Sequence, residues 1–229
     1  MFIIQDVTIT LRVSSLSEEV LGKSLKEYIE LICNMLSRAI RLSLSFAFFC
    51  RASAWNPTSY PFLPASTDVY KVRELVIHAQ GKNKTILDVG CGNGFSTSSS
   101  QGSVGIDADK QKIRKARKLF PDKTFKRGVL SSLNPDEKFD VVTSMFYFHK
   151  IPQFLRKIII CNAIQIANER VVIMDISPEY NVPPEMFHKN PFLPDYLKNC
   201  RSDLKDFKET IIEDGVLNMW IYEPNQDLK

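Results

Sequence analysis

The sequence predicts an α/β fold: a doubly wound, seven-stranded, mostly parallel sheet with a C-terminal antiparallel hairpin, plus an N-terminal helical extension. Three observations lead there. Between residues 67 and 177, five short strand-like runs alternate with segments of helical periodicity. A bare turn, Gly90-Cys91-Gly92-Asn93-Gly94, follows the first of those runs. Near the end, Asp214-Gly215 stands between two further strand-like runs, a turn signal that makes the last two strands antiparallel neighbours.

The elements follow in order. Val7, Ile9, Leu11 and Val13 alternate with polar residues, as in a short strand. Ser15 and Glu18 have capping-box spacing, and Leu21, Leu25, Tyr28, Ile29, Ile32, Met35, Leu36 and Ile40 then recur at helical spacing. Residues 55–64 hold three prolines and three aromatics and read as an ordered loop. They divide an extension with a lid loop, residues 1–64, from the main domain, residues 65–229. Thr67 or Asp68 caps a helix that Gly81 stops. Strands are predicted over 85–90, 103–108, 123–129, 138–146 and 170–177, the last an apolar run suited to a buried parallel position. Helices are predicted over 110–120 and 152–167, the second with Phe154, Leu155, Ile158, Ile159 and Ile166 on its apolar side.

Composition narrows the function. The 229 residues are 44% hydrophobic and 24% charged with a net charge of +4, ordinary for a globular protein and too small to demand nucleic acid. Five cysteines, an odd number without a CxxC pair, speak against a disulfide framework or a zinc site, and the three histidines are too scattered for a metal cluster. The apolar runs at 42–50 and 158–167 are half the roughly 20 residues of a bilayer span. The expectation is a cytoplasmic protein without a membrane span; the oligomeric state is not legible.

In a doubly wound sheet the ligand lies beyond the carboxyl ends of the strands. Gly90, Gly92 and Gly94 stand there, where bare backbone lets a ligand approach. Asp107 ends the second strand, where a carboxylate can accept both hydroxyls of a ribose. Asp88 precedes the glycines by two residues, and the spacing is GxGxG rather than the GxGxxG of dinucleotide sites. "ILDVGCGNG" followed by "GIDAD" resembles the first two motifs of class I S-adenosylmethionine-dependent methyltransferases, over about residues 67–223. The resemblance implies a Rossmann-like fold and S-adenosyl-L-methionine as cofactor. It places Asp88 and Gly90, Cys91, Gly92, Asn93 and Gly94 around the methionine part, Asp107 on the ribose and Ala108 against the adenine, with Val129 and Ser144 completing the cofactor site.

The pattern departs from the family in two places. The span from Gly94 to Asp107 is short and serine-rich, so a helix of about two turns or less is expected there. After the third strand the family often shows Gly-Asp, whose acid meets the adenine amino group; here the pair is Gly128-Val129, leaving Ser131, Ser132 or backbone for that contact.

Residues 144–152, "SMFYFHKIP", lack the Asn/Asp-Pro-Pro-aromatic motif of nucleic-acid amine methyltransferases. With the residues before them they resemble small-molecule methyltransferases of the ubiquinone and menaquinone type, with Lys150 replacing a second histidine. That implies a small-molecule substrate, with His149 and Tyr147 as candidate catalytic residues and His149 either a general base or a packing residue. Residues 110–127 carry nine Lys or Arg against one acid; they read as a solvated face, and no specific nucleic acid is expected. Methylation of RNA or protein, or a degenerate binding protein on the same fold, are the alternatives. The extension, the Trp55 loop and residues 177–196 are expected to meet over the carboxyl end of the sheet.

Overall fold

The structure, a computed structural model, describes residues 63–64, 67–81, 83–134 and 136–224. The expected N-terminal strand and helix, and nearly all of the Trp55 loop, lie outside the described residues.

Asp68 begins helix α1 (Val69–Ala79) by accepting the backbone N–H groups of Tyr70 and Lys71 on Oδ1, both at 3.1 Å. The sheet is built from β1 (Ile86–Val89), β2 (Val104–Asp107), β3 (Phe125–Arg127), β4 (Phe139–Met145), β5 (Ala167–Ile176), β6 (Lys208–Glu213) and β7 (Leu217–Tyr222). Its order is β3-β2-β1-β4-β5-β7-β6, parallel from β3 to β5, with β7 antiparallel to both its neighbours. The order reverses between β1 and β4, and the glycine turn stands there at the carboxyl end of β1. Every residue of β1 and β2 is buried, which explains why both read as unbroken apolar runs around their functional acids. Helix α2 (Lys110–Leu119) packs on β2 and β3, and α3 (Gln153–Ile166) on β4 and β5.

Between β1 and β2 the chain forms turns and no helix. Serine chemistry accounts for it. Ser98 Oγ accepts the Ser100 N–H at 3.0 Å, while Ser96 and Thr97 turn their hydroxyls onto Asp88. Side chains that bond locally in this way compete with a helical ladder.

The apolar face of α3 differs from the expected one. Phe154 is 59% exposed, and Arg156 is fully buried. The reason is long-range. After β5 the chain inserts α4 (Pro184–Lys189) and α5 (Leu193–Asp203), and α5 packs on α3. Arg156 bonds Asp203 through Nε at 2.8 Å, Asp195 through Nη2 at 2.8 Å and the Ile151 carbonyl through Nη1 at 3.0 Å. Leu193 and Tyr196 are completely buried, and Tyr196 Oη donates to the Ile176 carbonyl at 2.8 Å. The insertion thus seals the interior beside β5. No described helix is long and apolar enough to cross a membrane.

Candidate functional site

The turn after β1 is built for bare backbone. Gly90, Gly92 and Gly94 have φ of +73°, +56° and +89°, the left-handed region that side chains resist. A Cβ at Gly92 would meet nothing within 4 Å, so the middle of the turn faces open space. Asp88 lies beneath it, fully buried. Its Oδ2 accepts Ser96 Oγ at 2.9 Å and Thr97 Oγ1 at 2.7 Å, while Oδ1 is buried with no hydrogen-bond partner. Burial pushes this carboxyl above its ordinary range; the two hydroxyls and the nearby Arg73 and Lys123 cations oppose the shift without cancelling it. Cys91 and Asn93, between the glycines, are buried, and burial raises the Cys91 thiol so far that it stays protonated.

Asp107 joins the second strand to this turn. Its Oδ2 accepts the Gly92 N–H at 3.0 Å and its Oδ1 the Asp109 N–H at 2.8 Å. Each oxygen keeps a lone pair for a further donor. Asp107 forms one wall of a cleft with Val89, Gly90, Ile106 and Ala108; the strand-to-turn segment Gly128, Val129, Leu130 and Ser131 lines it further. Leu155, Ile158 and Ile159 of α3 and the ring of Tyr147 close it. Its volume is about 500 Å³ including the open mouth. The α3 wall was not among the residues singled out as cofactor ligands, and the apolar stripe of α3 was the available signal for it; Ser131, offered by the sequence in place of the missing acid at Val129, does line the cleft.

The segment after β4 turns sharply. Phe146 has φ +55°, unusual for a bulky residue, and its N–H donates to the Met174 carbonyl at 2.8 Å. This turn lays the Tyr147 ring against Gly90. His149 follows in a single 3₁₀ turn (Phe148–Lys150) and is completely buried, away from the cleft lining. Its Nδ1 lies 2.5 Å from Asp175 Oδ1, and its backbone N–H donates to Asp175 Oδ2 at 3.2 Å. Burial pulls the imidazole below its ordinary pKa, so it is neutral, with Nδ1–H donating to an ionised Asp175. Its Nε2 has no partner. Lys150 is half-buried, and burial brings its amine down to about 7, with Asp175 opposing the shift. Ser144 is buried within β4 and donates to the Val89 carbonyl at 3.0 Å, tying β4 to the end of β1. Asp175 was missed by the sequence reading; an acid inside the apolar run of β5 was the signal, since a buried charge needs a partner.

Residues 86–166, from β1 through α3, match the model of a methyltransferase domain. The chain carries a methyltransferase domain. Over 180 residues the chain is 29% identical to the 235L protein of Invertebrate iridescent virus 6, whose name proposes a methyltransferase; the match covers 69% of this chain and 67% of that one. The fold is similar to magnesium protoporphyrin IX methyltransferase from Synechocystis PCC 6803, solved with bound S-adenosylhomocysteine (TM-score 0.53, 14% identity, 84% of this chain and 100% of that one). It is similar also to the Thermoplasma acidophilum 1320 protein (TM-score 0.50, 10% identity, 89% of this chain and 100% of that one). The domain match and the viral relative support S-adenosylmethionine-dependent methyl transfer, and the sheet order is that of a Rossmann-like fold. The methyltransferase's cleft also suits that cofactor: bare backbone, an orphaned buried carboxylate oxygen on Asp88, and a strand-end carboxylate beside an apolar slot.

Proposed function

We propose that this methyltransferase transfers the methyl group of S-adenosylmethionine to a small molecule, and that its nearest functional kin are enzymes of the ubiquinone and menaquinone type. The segment after β4 carries the reading. It holds no Pro-Pro-aromatic motif for a flipped base, and instead presses an aromatic ring against the glycine turn. The Synechocystis enzyme, whose name gives a porphyrin substrate, lends support at the level of fold.

The bound cofactor would supply an electrophilic methyl group on a sulfonium. The chain's own work is binding and alignment, which can lower such a barrier by about 7–11 kcal/mol. Asp107 accepts the ribose hydroxyls with the lone pairs left free by Gly92 and Asp109. Asp88 and the turn from Gly90 to Gly94 hold the amino-acid part, with Asp88 Oδ1 accepting the ammonium. Ala108 and Val129 flank the base. Ser144 contributes by fixing the end of β1 through Val89, and Tyr147 covers the turn and faces the reacting end. His149 is a positioning residue: anchored on Asp175, it sets the 3₁₀ turn that aims Tyr147.

The test is transfer of label from methyl-tritiated S-adenosylmethionine into cell extract separated into small-molecule, RNA and protein fractions. Label in the small-molecule fraction is expected. Label confined to RNA or protein would overturn the substrate class while leaving the chemistry intact.

A further inference from the structure

The walls of the cleft are chemically lopsided. Its charged group, Asp107, stands at one side, where β2 ends. Beyond it the slot is lined by Ala108, Val129, Leu130 and the α3 residues Leu155, Ile158 and Ile159. Among the lining side chains of that half the polar group is the Ser131 hydroxyl; there is no carboxylate and no amide. The Val129 backbone is already committed. Its N–H donates to Ser132 Oγ at 3.3 Å, and its carbonyl accepts the same hydroxyl at 2.7 Å. The turn satisfies itself instead of presenting these groups to a ligand.

From this we infer that the methyltransferase reads the purine of its cofactor by shape and apolar contact, and not through the exocyclic 6-amino group, with Val129 as the residue that sets this tolerance. The inference rests on the cofactor reading above and narrows it. A site built to hydrogen-bond a polar group rejects the analogue lacking it by orders of magnitude, because buried partners are left unpaired. Apart from the Ser131 hydroxyl the side chains of this slot offer no such partner, so deletion of the amino group leaves no carboxylate or amide unsatisfied. A flat ring between Val129, Ala108 and the α3 wall still removes apolar surface from water, and that contribution is indifferent to the 6-substituent.

The experiment measures binding of S-adenosylhomocysteine and of its 6-deamino analogue, with purine in place of adenine, by calorimetry on the full chain. The wild type is expected to bind the two within about threefold. Val129→Asp supplies a carboxylate at the slot and should create a preference of about tenfold or more for the amino form. Ser131→Ala, a milder change, should alter the wild-type ratio by less than about threefold. Thermal melting of each variant checks folding. A wild-type preference of tenfold or more for the amino form would overturn the inference, as would a comparable change in the ratio in Ser131→Ala. If neither nucleoside binds, the cofactor reading falls and this inference with it, a result distinct from tight but discriminating binding.

Discussion

A Cβ added at Gly90 would lie 2.4 Å from Cγ of the Tyr147 ring. The glycine turn after β1 and the segment after β4 are therefore fitted to each other, not merely adjacent. Gly90→Ala meets two penalties: a left-handed φ that costs about 1–2 kcal/mol in a residue with a Cβ, and overpacking that costs about 1–3 kcal/mol. The double variant Gly90→Ala, Tyr147→Ala should be less destabilised than the sum of the two single variants, since the clash is gone and the backbone strain stays. Urea denaturation of the three variants checks this; simple additivity would show that the ring does not press on the turn.

Asp88 sets stability against ligand binding. Its carboxyl titrates above its ordinary range because it is buried. The folded state then holds the proton more tightly than the unfolded chain, and stability falls as pH rises through the interval above 3.8. Asp88→Asn keeps an acceptor for Ser96 and Thr97 and removes the buried charge. Its melting temperature at pH 7 should equal or exceed the wild type's, with the advantage vanishing in acid, while cofactor affinity drops about tenfold or more. A variant that loses stability at pH 7 and keeps its affinity would contradict this role.

Arg156 fastens the insertion after β5 to the core. Its partner Asp203 has a fully buried carboxylate, so Arg156→Ala leaves that charge unpaired at a cost of about 3–5 kcal/mol. Arg156→Lys should recover only part of this, because a single ammonium cannot reach Asp203, Asp195 and the Ile151 carbonyl together. Chemical denaturation reads both variants; a cost below about 1 kcal/mol for the alanine variant would make the cluster ornamental.

The His149–Asp175 pair predicts acid sensitivity. Burial lowers the histidine from 6.5, so below that value the unfolded chain takes up a proton that the folded chain resists. Stability is fully present above about pH 6.5 and declines as the pH falls further. His149→Gln should be less stable than the wild type at pH 7 and show a shallower decline from pH 7 to 5. Melting curves at intermediate pH decide it; parallel declines would place the sensitivity elsewhere.

What the sequence disclosed was local. The central strands β1, β2, β4 and β5 were legible because their burial is written as apolar runs, and the glycine turn with Asp107 because each motif lies within a few residues and needs particular residue types. Arg156 was hidden because its partners, Asp195 and Asp203, are some forty residues away, and an arginine on an amphipathic helix reads as solvent-facing. Phe154 was misplaced for the same reason: the side of α3 that faces inward was chosen by α5. The absence of a helix between β1 and β2 was half legible, in the serine run, but the capture of Ser96 and Thr97 by Asp88 required the fold.

The most direct test of the central claim is calorimetric titration of the full chain with S-adenosylhomocysteine, compared with Asp107→Ala. Hydrogen bonds to a charged group contribute about 1.5–3 kcal/mol, so the variant should bind roughly ten- to 150-fold more weakly at about 1.4 kcal/mol per tenfold. Saturable one-to-one binding by the wild type, weakened to that degree in the variant, is the predicted result. No binding by the wild type, or equal affinity in the two proteins, would contradict it.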